Sequence, residues 1–136
     1  ITTAMTAEII PLPAKVQRWW AMVEISDEDF EELVLDALDK IPDDFAYRLR
    51  NVAILIEDFH PENPEILGLY EGVSLVERTH HHTGFLPDAI FVYREALKRY
   101  CSSIQQLADE VEVTVFHEVG HYFGMDEEQL HAAGFG

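Results

Sequence analysis

His117 and His121 stand four residues apart, with Glu118 directly after the first, in the run His117-Glu118-Val119-Gly120-His121. On a helix, positions four apart lie one turn above each other on one face, so both imidazoles reach a single metal ion. A carboxylate next to the first histidine projects toward water at the metal's open position, where it serves as a general base. Seven histidines in 136 residues give this pattern by composition about once in 25 such chains, so the context must decide whether it is chemistry or chance.

That context concerns the third ligand. A catalytic zinc takes three protein ligands, and only fifteen residues follow His121. A glutamate placed a further helix away has little room. The longer pattern H-E-x-x-H-x-x-G-x-x-(H or D) is matched through Gly124, where a left-handed turn brings the chain back toward the metal. Its eleventh position is Glu127. Glu127 is therefore the expected third ligand by register, with Asp126 the alternative by proximity and His131 the alternative if the last helix folds back. Asp126 also has a structural role open to it, since Asp126-Glu127-Glu128-Gln129 reads as a helix cap with a capping-box partner. Against this constellation, two unrelated core or surface histidines are the weaker reading.

The elements that must hold these groups follow from periodicity. From Ser103 to Phe123 only Gly120 breaks a run of helical character, and Ile104, Leu107, Val111, Val115 and Val119 supply an apolar face. The β-branched stretch Val111 to Val115 favours a strand by propensity alone, but the motif that follows it requires a helix. Ser26 followed by Asp27, Glu28 and Asp29 is a strong helix start. Phe30, Leu33, Val34, Ala37, Leu38 and Ile41 carry that helix to Pro42. A short helical turn is expected over 43–49, then a buried strand at Val52–Ile56, a weaker one at Ile66–Tyr70 softened by Gly68, and a third at Ala89–Tyr93 leading into helix at Arg94–Tyr100. The arrangement predicts an α+β fold with a small sheet covered by helices.

Length fits one domain with its own core. Lysine and arginine number 9 against 26 aspartates and glutamates, a net charge of −17, which argues against nucleic acid and anionic membranes as partners. A hydrophobic content of 48% shows that this charge clothes a folded body. No apolar run is long enough to span a membrane, and Cys101 is the sole cysteine, so a cytoplasmic location is the simplest expectation and Cys101 is read as a small core residue. Residues 1–21 hold two basic residues and one acidic residue and lack the layout of an export signal. In that segment Val16, Trp19, Trp20 and Val23 share one helical face, which is expected to dock on the domain or on a second copy, giving a homodimer through the N-terminal helix. The domain itself is assigned to residues 22–136.

From about Met22 to Gly134 the chain resembles the minimal zincins, small bacterial zincin-like metallopeptidase proteins once grouped as a domain of unknown function. The resemblance rests on His117-Glu118-Val119-Gly120-His121-Tyr122-Phe123-Gly124 with a carboxylate three residues later. It extends to Leu67-Gly68-Leu69-Tyr70-Glu71-Gly72, Glu77-Arg78-Thr79, and Leu86-Pro87-Asp88 leading into Phe91-Val92-Tyr93-Arg94, in that order. Where the family usually carries aspartate, this chain has Glu127, one methylene longer. The resemblance implies a short mixed sheet, an active-site helix and a zinc site beside the sheet edge. The expected reaction is amide hydrolysis, with Zn2+ as cofactor, His117, His121 and Glu127 as ligands and Glu118 as base.

The oxyanion donor is left among Tyr70, Tyr93 and the histidine loop His80-His81-His82. Three adjacent side chains cannot all face one way, so that loop is read as solvated rather than as a second metal site. Arg94 is expected to pair with nearby acids. If the acidic surface surrounds the zinc cleft, basic peptides are the favoured substrates. A zincin-like domain that binds metal or a protein partner without catalysis is the alternative function. A metal-dependent ribonuclease is opposed by Glu118 and by the negative charge.

Overall fold

The computed structural model describes residues 23–49, 51–72 and 88–134. The tryptophan-bearing segment with its expected helix and dimer contact, and the three-histidine loop, lie outside the described residues.

Helix α1 (Asp27–Asp39) starts at Ser26, whose hydroxyl accepts the Asp29 N–H at 3.0 Å, and three acids follow at its positive end; such a cap is worth about 1 kcal/mol. Phe30, Val34 and Ala37 recur on its buried face. Pro42 then opens a short α2 (Asp43–Ala46), and a 3-10 turn over Tyr47–Leu49 leads into the sheet.

Among the described residues three strands form the sheet: β1 (Val52–Glu57), β2 (Gly68–Glu71) and β3 (Asp88–Tyr93), in the order β1-β3-β2. The sheet is mixed. β1 runs parallel to β3 with Val52 opposite Asp88, and β2 runs antiparallel to it with Gly68 opposite Val92. The last strand in sequence is therefore the central one, and its Ile90 and Val92 are fully buried. β1 departs from the expectation of a buried strand: every other residue faces out toward its end, and Leu55 is 39% exposed. Side chains alternate across a strand, so Leu55 and its partner Phe91 share the face opposite the fully buried Ile90 and Val92, and that face is the less covered one.

Helix α3 (Arg94–Tyr100) begins as β3 ends. Arg94 bonds Asp58 at 2.6 Å and approaches Asp27 at 3.3 Å, the acid pairing anticipated for it. Cys101 is buried in the core, as expected. Ser103 caps α4 (Ile104–Tyr122) by accepting the Gln106 N–H at 3.0 Å. α4 packs on β2 and β3 with one side and on α1 with the other. Leu107, Val111 and Val115, all at 0% exposure, hold the β-branched run helical, because burying each apolar side chain contributes about 1.5–3 kcal/mol and exceeds the propensity loss. Ile104, expected on this face, is 49% exposed, since it begins the helix at a rim shared with Ile25 and Leu33. A short α5 (Glu127–Ala132) follows. No helix among the described residues is long and apolar enough to cross a membrane.

Candidate metal centre

The site is built at the C-terminal end of α4, where the helix stops by a defined device. Gly124 adopts φ +88°, its N–H bonds the His121 carbonyl at 2.9 Å, and the Met125 N–H bonds the Gly120 carbonyl at 3.0 Å. These paired bonds make a Schellman motif, which glycine enters without steric cost. The reversal also turns the Met125 carbonyl back onto His121 Nδ1, 3.1 Å away. A carbonyl only accepts, so the bond requires a hydrogen on Nδ1 and leaves the Nε2 lone pair facing the other way.

Asp126 caps α5: its Oδ1 accepts the Gln129 N–H at 2.8 Å, while Gln129 Oε1 accepts the Asp126 N–H at 2.8 Å. The carboxylate of Asp126 is thereby occupied in a complete capping box. Glu127, the first residue of α5, reaches the histidines instead. Its Oε2 lies 2.8 Å from His121 Nε2 and 3.3 Å from His117 Nε2. One ligand atom from each of these three residues falls within 4.8 Å of the others, and neither Asp126 nor His131 joins that group.

The chemistry of this donor set fits a divalent cation. With Nδ1 of His121 turned to the Met125 carbonyl, Nε2 is the ring nitrogen left to face a metal, beside a carboxylate oxygen that is also close to His117 Nε2. A cation at the centre satisfies all three lone pairs. Donors bound to zinc at about 2.0–2.2 Å in a tetrahedron stand roughly 3.3 Å apart, a spacing these atoms reach with small side-chain adjustment.

Two close approaches place these groups. Gly68 lies against α4: a Cβ there would come 2.5 Å from Thr114 Cγ2 and 3.4 Å from Glu118 Cγ, so only glycine lets the helix rest this closely on β2. At Gly120 a Cβ would overlap Leu130 Cδ2; the bare helix surface admits Leu130, which is fully buried, and that contact docks α5.

Glu118 faces β2 from α4, only 8% exposed. Burial raises its pKa above the ordinary carboxylate value. His117, His121 and a hydrogen bond from the Tyr70 backbone oppose that rise, and the charge of Glu127 adds to it. The cleft in front of it has a volume of about 720 Å³, with Ile66, Leu69 and Tyr70 on one wall and the two histidines, Met125 and Glu127 on the other.

Of the expected oxyanion donors, Tyr70 lines this cleft but its hydroxyl donates to Asp88 Oδ2 at 2.6 Å. Tyr93 is 2% exposed, stacks on Phe91 and meets His60 in a T-shaped contact, and it does not line the cleft. Sequence reasoning missed the Met125 carbonyl, which orients His121, and the partnership of Gly120 with Leu130. A glycine between the two histidines was the available signal for a close approach, as was the lone glycine of β2.

Among solved structures the chain is similar to a conserved hypothetical protein from Thermus thermophilus. The two share 24% identity and a TM-score of 0.52, over 79% of this chain and 99% of that one, a likeness in fold. No curated protein matches the chain. The model of the zincin-like metallopeptidase family matches residues 49–135, which include both histidines, Glu118 and Glu127. The chain belongs to the zincin-like metallopeptidase family.

Proposed function

We propose that the protein is a zinc-dependent peptidase in which His117, His121 and Glu127 hold the metal and Glu118 is the general base. The observation that carries this reading is the convergence of three donor atoms within 4.8 Å next to a buried carboxylate on the floor of an open cleft. Zinc held there would polarise a scissile carbonyl and lower the pKa of water at its open position. Glu118 takes the proton from the attacking water and returns it to the leaving amine. Burial suits it to both tasks, because a carboxylate with raised proton affinity is a stronger base and its conjugate acid survives to the second transfer. The Tyr70 backbone N–H keeps that carboxylate aimed across the cleft.

A peptide substrate is supported by β2. Among the described residues this strand pairs only with β3, so its outer edge, apart from the Tyr70 N–H engaged by Glu118, can offer backbone groups to an extended chain lying along the cleft. The test is zinc content and peptide turnover measured together. Both are expected to be lost in His117→Ala, and turnover alone in Glu118→Gln. Zinc binding unaffected by His117→Ala would overturn the site. Bound zinc with Glu118 intact and no turnover across a broad peptide library would reduce the protein to a metal-binding domain.

A further inference from the structure

A second hollow, of about 280 Å³, opens on the other side of His117 and Glu118 from Glu127, and those two residues and Gly68 border both spaces. Its remaining walls are Leu67, Tyr100, Glu110, Val113 and Thr114. Glu110, Thr114 and Glu118 lie at i, i+4 and i+8 on α4, one stripe facing β2. Glu110 is therefore about 10 Å from His117 along the helix axis, at 1.5 Å per residue. That is the reach of one or two extended residues plus a long side chain. Glu110 takes part in none of the ion pairs among the described residues. The neighbouring acid Glu112 is different, since it bonds Lys40 at 2.6 Å on the side of α4 toward α1.

From this placement we infer that the hollow is a specificity subsite for a lysine or arginine side chain flanking the scissile bond. Leu67 and Val113 receive the aliphatic stem, Tyr100 offers a half-exposed aromatic ring, and Glu110 receives the charged end. The inference rests on the peptidase reading for its meaning in catalysis, but the recognition itself is a binding property and is tested as one. A hydrophobic side chain of similar length would gain the stem contacts and leave Glu110 without its partner. An acidic one would face Glu110 and Glu118 together.

The experiment uses the zinc-loaded Glu118→Gln chain and matched fluorescent peptides carrying arginine, lysine, norleucine or glutamate at each position around a fixed core, with affinity read by anisotropy. Arginine and lysine peptides are expected to bind about fivefold more tightly than the norleucine peptide at one position. That factor is the modest one suited to a partly exposed carboxylate, and it declines with added salt. Adding Glu110→Gln should bring the ratio to about one, and Glu110→Lys should reverse it toward glutamate. Absence of a cationic preference at every position, or a preference unchanged in both Glu110 variants, overturns the subsite. Hydrolysis of the same peptides by the unsubstituted chain separates the two readings. Turnover without charge preference defeats the subsite alone, and Glu110-dependent binding without turnover defeats the peptidase reading alone.

Discussion

Replacing Gly120 by alanine adds one methyl group between the two histidines without touching either donor. The new Cβ would overlap Leu130 Cδ2 and come 3.4 Å from Met125 Sδ. Leu130 is fully buried, so it yields only by leaving its rotamer or by lifting α5. Overpacking of this kind costs about 1–3 kcal/mol, while alanine in place of glycine inside a helix returns about 1 kcal/mol. The net loss of up to about 2 kcal/mol falls on the docking of a six-residue helix, not on the main core of α1, α4 and β3. Glu127 opens that helix, so the carboxylate should move away from the imidazoles. Zinc affinity measured against a chromophoric chelator should fall by about 10- to 100-fold, the range seen when the support of a ligand is disturbed. The melting temperature of the metal-free protein should fall by a few degrees. The cost of Leu130→Ala should be smaller in the Gly120→Ala background than alone, because the two substitutions share one contact. Affinity within twofold of the unsubstituted chain, with an unchanged or raised melting temperature, would refute the claim that this packing places Glu127.

The ligand and cap roles of adjacent acids separate by substitution: Glu127→Ala should weaken zinc binding at least about 100-fold with little change in metal-free stability, since Glu127 is exposed at the helix start. Asp126→Ala should do the reverse in the melt, costing about 1 kcal/mol through the lost capping box, and should affect zinc binding less than Glu127→Ala. Glu118 has a folded-state pKa raised by burial, so its contribution to stability is complete below the ordinary glutamate pKa and is lost as pH rises through the folded value. Glu118→Gln should accordingly stabilise the metal-free protein at pH 7 by about 1 kcal/mol, roughly 3–5 °C in melting temperature, with the gain disappearing near pH 4. A gain of equal size at both pH values would exclude the charge as its origin.

The helices were legible because their signals are local. Ser26 and Asp126 each cap through a side chain at the expected place, and Gly124 takes the left-handed turn its position suggested. The register of the motif favoured Glu127 over Asp126, and Glu127 is the acid found beside the two imidazoles. What separates them physically is the capping box, which the sequence showed only as a competing role for the same residue. Strand order was not legible, because pairing joins residues far apart in the chain. Val52–Ile56 has the composition of a buried strand, and its pairing with β3 puts Leu55 beside Phe91 on the face opposite the buried Ile90 and Val92. The orientation of His121 by the Met125 carbonyl was also hidden, since a backbone acceptor has no signature in side-chain identity. Gly68 marked a weak strand by composition, whereas its role is to admit α4 against β2.

The most direct test of the central claim is X-ray absorption at the zinc edge on the protein loaded with one equivalent of zinc. Two imidazole nitrogens and a low-Z oxygen shell, with no sulfur neighbour, are expected from His117, His121 and Glu127, and the carboxylate contribution should disappear in Glu127→Ala. A sulfur shell, which only Cys101 or a methionine supplies, or a six-oxygen shell without imidazole scattering, would contradict the site.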